Sequence, residues 1–178
     1  MSGGSKFSFR RAALDDVQRL LAHVHSAYRG DPSRKGWTTE ADLLDGQRTD
    51  LRELNELVSG DGAQLWILEE GEQLLGTIAL KREPHGVVHL GMIAVNPELQ
   101  GKGAGRVLLE RAEQVVRERA WGTRLEMTVI GQRTELIAWY ERRGFRVTGE
   151  QRPFPYGDTR FGLPKRRDLY FLVLVKDL

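Results

Sequence analysis

The sequence predicts an α/β (α+β) fold: a single domain with a mixed, mostly antiparallel central sheet of about seven strands, flanked by helices. Three observations lead there. The 178 residues are enough for one domain with a real core. Short runs of strand-type residues alternate with stretches whose apolar residues recur every three or four positions. Finally, residues 87–112 read as a strand, a tight glycine-rich loop and a helix. The domain is taken to span residues 1–178, with residues 1–5 expected to be a disordered N-terminus.

The elements follow in order. Phe7 to Arg11 is a short first strand. Asp15 and Asp16 sit where a helix N-terminus wants acids, and Val17, Leu20, Leu21, Val24 and Tyr28 recur at helical spacing. Gly30-Asp31-Pro32-Ser33 ends that helix. Thr39 is placed to cap a helical stretch from Glu40 to Leu44, with Asp42 at the third position in place of the capping-box Glu. A further helix runs from Asp50 to Val58. Gln64 to Glu70, Gln73 to Lys81 and Val87 to Val95 form an antiparallel meander. Its turns are Glu70-Gly71-Glu72 and Glu83-Pro84-His85-Gly86. After the glycine loop, Leu108, Leu109, Ala112, Val115 and Val116 share one face of an amphipathic helix. Arg124 to Val129 is a strand. Thr134 to Arg143 is a helix with Gly144 just past its end and Phe145 folding back. Phe145 to Glu150 and Leu169 to Lys176 are the last strands, separated by an irregular loop from Pro153 to Pro164.

Composition bounds the function. Lys and Arg number 27 against 25 Asp and Glu, a net charge of +2, which argues for neither nucleic acid nor an anionic membrane as a partner. No apolar run approaches the ~20 residues of a membrane span. The chain has no cysteine, which excludes disulfides, thiolate catalysis and cysteine metal sites. Together with the lack of a secretory segment, that composition is consistent with a reducing cytoplasm. The four histidines lack metal-ligand spacing with nearby carboxylates, so no metal is expected.

The most informative stretch is Val95-Asn96-Pro97-Glu98-Leu99-Gln100-Gly101-Lys102-Gly103-Ala104-Gly105-Arg106. Glycines let the backbone take positive φ and let a ligand approach. The following helix offers unpaired N–H groups and the positive end of its dipole. Together these make a pocket for phosphate oxygens. There is no Gly-x-x-x-x-Gly-Lys-Ser/Thr string, and Arg106 stands where a dinucleotide fingerprint wants its third glycine. The observed order instead resembles the acetyl-CoA loop of the Gcn5-related N-acetyltransferase (GNAT) superfamily, Gln/Arg-x-x-Gly-x-Gly/Ala, at Gln100, Gly103 and Gly105. Gly101 matches a common extra glycine. The element order matches the superfamily fold nearly end to end, which implies a central sheet whose strands splay.

The resemblance assigns expectations residue by residue. Acetyl-CoA is implied as co-substrate, with its phosphates at Gln100, Gly101, Lys102, Gly103, Ala104, Gly105 and Arg106. Its pantetheine arm would pair with the backbone of Ile93, Ala94 and Val95, as if it were a strand. Trp139-Tyr140-Glu141-Arg142-Arg143-Gly144-Phe145 resembles the family's Tyr-x-x-x-Gly-Phe element, which places Tyr140 as proton donor to the departing CoA thiolate. A buried core tyrosine would give the same sequence. Arg133 departs from the asparagine often found there. It is expected to reach a CoA phosphate or a carboxylate on the acceptor, with a surface arginine as the alternative. His89 matches the position of a general base in some relatives and shares strand parity with Gly91, Ile93 and Val95, unless a bulge resets it. It competes with water and with a purely structural strand histidine. Trp37, Thr38 and Glu40 lie in the region that helps form the acceptor site in the superfamily, with Phe154, Tyr156 and Asp158 on the other side. The reading is an acetyl-CoA-dependent N-acetyltransferase of a small-molecule primary amine, with direct attack in a ternary complex and room for a homodimer. A protein or peptide acceptor is the first rival; it would need an open groove, with little enclosure by residues 31–49 and 152–164. A non-catalytic acyl-CoA module is the second.

Overall fold

The computed structural model describes residues 6–178; the expectation for residues 1–5 lies outside them. The chain runs β1 (Ser8–Arg11), α1 (Val17–Tyr28), α2 (Gly30–Ser33), β2 (Leu44–Asp45), α3 (Leu51–Ser59), β3 (Ala63–Glu70) and β4 (Gln73–Glu83). It continues through β5 (Val87–Val95), α4 (Ala104–Glu118), β6 (Arg124–Ile130), α5 (Thr134–Glu141), β7 (Arg146–Pro153), β8 (Leu163–Pro164) and β9 (Tyr170–Asp177). Seven strands form one sheet in the order β1-β3-β4-β5-β6-β9-β7, and β2 pairs with β8 separately. Within the seven-stranded sheet only β5 and β6 are parallel. They are joined by α4, as parallel neighbours require a crossover.

Helices cover both faces. Leu108, Leu109, Ala112 and Val116 of α4 pack with Ile137 and Tyr140 of α5 against Leu80, Val88, Leu90 and Met127. On the opposite face Leu20 and Val24 of α1 and Leu54 and Val58 of α3 pack against Leu65, Ile67, Met92 and Ala94. Strand β5 therefore changes sides partway along. Thr77 faces Ala94 and Ala79 faces Gly91, so Ile78 alone opposes Met92 and Ile93. Met92 takes φ 48° at this bulge, and the Thr77 hydroxyl donates to its carbonyl at 3.0 Å. Val88 and Leu90 face α4, whereas Met92 and Ala94 face α1. The extra residue thus breaks the expected parity between His89 and Ile93, because side chains alternate only across an unbroken ladder.

The bulge coincides with the splay. β5 and β6 pair only at Val87–His89, opposite Arg124–Glu126, and from Gly91 onward the two strands part. Between 29 and 49 the chain departs from the expected course. Arg29 is extended and Gly30 has φ +65°, which ends α1 as anticipated, but Gly30–Ser33 then forms its own short turn of helix. The helix expected at Glu40 to Leu44 is a single turn, with Leu43 N and Leu44 N both donating to the Glu40 carbonyl at 2.8 Å. It stops because Leu44 and Asp45 pair with Pro164 and Leu163. Thr39 Oγ1 still accepts from Ala41 N at 3.0 Å. No helix among the described residues is long and apolar enough to cross a membrane.

Candidate active site

Two cavities meet at the splay. The first, about 240 Å³, is lined by Gln100, Gly101, Gly103, Gly105 and Arg106 together with Ile93, Ala94 and Val95. The second, about 300 Å³, lies on the β2–β8 side and takes its walls from Arg29, Glu40, Arg48, His89 and Phe154, among others. Tyr28, Ile93, Arg133, Leu136 and Tyr140 line both.

The loop in the first cavity is built for a bare backbone. Gly101 has φ +80° and Gly103 φ +89°, and a Cβ on either would meet nothing within 4 Å. Both positions therefore favour glycine on backbone grounds while leaving the adjoining space open. Gly103 is the N-cap of α4, whose first turn holds no acidic residue, and the first helical bond runs from Val107 N to Gly103 O at 3.1 Å. The amides of Ala104, Gly105 and Arg106 precede that bond, and Gly105 and Arg106 border the cavity. Gly105 has a different reason to lack a side chain: its Cβ would lie 3.2 Å from the Trp139 ring. Ala104 is buried in the core, and Lys102 is exposed and outside the cavity lining. Gln100 Nε2 donates to Val95 O at 3.3 Å, and the amide oxygen presses on Gly36, where a Cβ would fall 2.0 Å away.

Helix periodicity on α5 sets the opposite wall. Leu136, Trp139, Tyr140 and Arg143 share one face and all line the first cavity. Arg143 stacks on Trp139 at 3.5 Å from the ring centroid and donates to its carbonyl at 2.8 Å. In the sequence only the four-residue step from Trp139 hints at the place of Arg143. Tyr140 is 5 % exposed, and its hydroxyl has no hydrogen-bond partner among the described residues. Burial pushes its phenol well above the usual tyrosine value, so it is a protonated donor throughout the neutral range. Tyr140 belongs to the core and also borders both cavities.

On the splayed strand the carbonyls of Ile93, Ala94 and Val95 each already accept one side chain. Tyr28 Oη donates to Ile93 O at 2.5 Å, His23 Nε2 lies 3.1 Å from Ala94 O, and Gln100 serves Val95. A carbonyl has a second lone pair, so pairing capacity remains. Tyr28 and His23 went unnoticed in the sequence because helical spacing alone gives both an ordinary core role.

A buried charge cluster separates the cavities. Glu40 accepts from Arg133 Nη1 at 2.9 Å and from Arg29 Nη1. Burial would raise its carboxyl, but Arg133, Arg29 and Arg48 together hold it below its ordinary value. Arg133 Nη2 also donates to Thr38 Oγ1 at 2.7 Å, so Arg133 fixes the 37–40 loop onto the start of α5. Of the three residues expected at the acceptor, Glu40 borders the second cavity, whereas Trp37 and Thr38 border the first. Trp37 is 41 % exposed and stands 6.2 Å from Trp139 across the glycine-loop cavity. Gly36, just before Trp37 and Thr38, lies against the Gln100 side chain.

His89 lines the second cavity, with Nδ1 3.8 Å from Glu126 Oε1. Burial lowers its pKa against the pull of Glu126, which makes it neutral at pH 7. It lies four positions before Ile93 along β5, roughly 13 Å of backbone. Phe154 lines the same cavity. Tyr156 Oη instead bonds Arg166 O at 3.0 Å, and Asp158 pairs with Arg160.

Residues 21–145 match the model of the Acetyltransferase (GNAT) family. The chain belongs to this family. It is 30 % identical over 150 residues to the S-(2-succino)cysteine N-acetyltransferase of Bacillus subtilis, covering 80 % of this chain and 86 % of that protein. It is 29 % identical over 112 residues to a peptidyl-lysine N-acetyltransferase of Salmonella typhimurium, covering 58 % of this chain and 70 % of that protein. The structure of a ribosomal-protein-alanine N-acetyltransferase from Brucella melitensis superposes with TM-score 0.71 at 22 % identity, over 96 % of this chain and 99 % of that one. This GNAT enzyme is an acyltransferase with the family's mixed seven-stranded sheet.

Proposed function

We propose that this GNAT enzyme transfers an acetyl group from acetyl-CoA to the primary amine of a small molecule, by direct attack in a ternary complex. The observation that carries the reading is the junction of two cavities at Ile93 and Tyr140. One side suits the cofactor. Open glycine backbone at Gly101 and Gly103, free amides at the start of α4, and Arg106 and Arg143 suit a diphosphate. The splayed edge of Ile93–Val95 suits an amide-bearing arm. When bound, acetyl-CoA supplies an acetyl group activated as a thioester. Tyr140 holds a proton at Oη for the leaving sulfur. The chain has no cysteine to carry an acyl-enzyme, which favours direct transfer.

The other side suits a small acceptor. Strands β2 and β8 join the 41–46 and 162–165 segments. Lys165 Nζ donates to Ala41 O at 2.7 Å and Lys165 N to Leu43 O at 2.9 Å. The wall so formed brings Leu44, Phe154 and Phe161 around the second cavity. That is the enclosure a protein acceptor would not want, and the relative from Bacillus subtilis is named for a small amino-acid acceptor. The amine's proton leaves through water toward His89, because the strand spacing is too long for direct contact. Release of free CoA across a panel of amines and lysine peptides tests the reading. Turnover of small amines at rates well above peptides is expected; turnover of peptides alone would reject it.

A further inference from the structure

The second cavity carries an excess of cationic groups, and one of them makes no ion pair among the described residues. Three arginines, Arg29, Arg48 and Arg133, line it against two glutamates, Glu40 and Glu53. Glu40 is taken by Arg29 and Arg133. Glu53 accepts the Thr49 hydroxyl at 2.6 Å. Arg48 makes no ion pair or hydrogen bond among the described residues; it lies over the Tyr28 ring, 5.1 Å from its centroid. Tyr28 in turn bonds the Ile93 carbonyl at the cavity junction. A half-buried guanidinium with its in-plane donors unspent, stacked on the residue that borders the reaction point, is an anion-binding group waiting for its partner. The fixed positive field of the Arg29–Glu40–Arg133 cluster points the same way, since two guanidiniums share one carboxylate.

We propose that the acceptor is an amino acid: a primary amine that also carries a carboxylate, which Arg48 binds. The proposal rests on the small-amine reading above. The guanidinium offers two parallel N–H groups to the two carboxylate oxygens, with the Tyr28 ring 5.1 Å away as its aromatic neighbour. Holding the carboxylate there orients the neighbouring amine toward Ile93 and Tyr140. The aromatic wall of Phe154, Phe161 and Phe171 receives the rest of the molecule. Arg48 is a specificity residue here, and its effect falls on acceptor binding.

The test measures acetyl-CoA-dependent CoA release with the proteinogenic amino acids, each beside its own α-amide and its decarboxylated amine. The preferred amino acid should exceed both partners by about 10- to 100-fold in kcat/KM, as a charge-assisted hydrogen bond would give, and mostly through KM. Arg48→Gln should erase that advantage by raising KM for the acid, and Arg48→Lys should restore part of it. Amides or decarboxylated amines used as well as the acids would overturn the carboxylate proposal and leave the small-amine reading standing. An acid preference untouched in folded Arg48→Gln would overturn the role of Arg48. If no amine of any set releases CoA, and no N-acetylamino acid raises the melting temperature in the presence of CoA, the small-amine reading and the carboxylate proposal fall together.

Discussion

Tyr140 packs in the core and borders both cavities. Its ring packs edge-on against Trp139 and Phe145, and its hydroxyl has no hydrogen-bond partner among the described residues. Tyr140→Phe should keep the packing and lower kcat by about ten- to a thousandfold with acetyl-CoA affinity nearly unchanged. Unchanged kcat with chemistry rate-limiting would remove Tyr140 from the reaction. Because burial raises its pKa, kcat should show no alkaline loss up to about pH 10, the ordinary tyrosine value. The role proposed for His89 bears on the acid end. Burial lowers its pKa, so any acid limb it contributes to kcat/KM lies below about pH 6.5. His89→Gln should remove that limb and slow turnover by about tenfold or less, as expected of a water-relayed group. A limb that survives His89→Gln and follows the acceptor's own pKa would give the proton to water alone. Gly103→Ala adds the smallest side chain at φ +89°. It should weaken acetyl-CoA binding through strain and a methyl group facing the phosphate path, which calorimetry would register.

At the scale of elements, the residue types at a joint decide what each joint does. Asp16 ties β1 to α1. It accepts from Arg10 Nη1 and Nη2 at 2.9 Å, from Arg19 Nη2 at 2.6 Å, and from Ala13 N at 2.7 Å. Glu69 on β3 holds the same two arginines. The Arg10 guanidinium holds the Asp16 carboxyl far below the usual range, against the opposing effect of burial. A depressed carboxyl contributes stability above its unfolded pKa of about 3.9 that is lost as pH falls through the folded value. Asp16→Asn should therefore cost about 1–3 kcal/mol at pH 7, with the gap to the parent closing only below about pH 4. A gap independent of pH in urea melts would mean that packing, not charge, explains Asp16. The same scale explains what was legible. Short apolar runs between turn residues point to β3, β4 and β5, and the glycine loop to the start of α4, because each is a local property. The single turn at Glu40, the β2–β8 pair and the bulge at Met92 depend on partners more than ten residues away. No local pattern announces them, so the sequence alone does not show that Trp37 and Thr38 border the glycine-loop cavity. Arg133 was legible as an odd residue, but its partner Glu40 stands 93 positions earlier.

The molecule as a whole places a parting pair of parallel strands under one helix N-terminus and closes the far side with a two-stranded flap. Both cavities depend on the parting, and neither depends on a second domain. Binding of acetyl-CoA to the folded form alone should raise stability by about 2.7 kcal/mol at a hundred times its Kd. Gly103→Val should abolish that gain, whereas Gly105→Val should fail by colliding with Trp139 and lower the melting temperature of the free protein as well. The central claim is that acetyl donor and amine sit together at the Ile93–Tyr140 junction before the acetyl group moves. Initial rates of CoA release over a grid of acetyl-CoA and amine concentrations test it most directly. Intersecting double-reciprocal lines are predicted, because both cavities must be filled at once. Parallel lines, with a burst of CoA in the absence of amine, would show an acyl-enzyme and contradict the account.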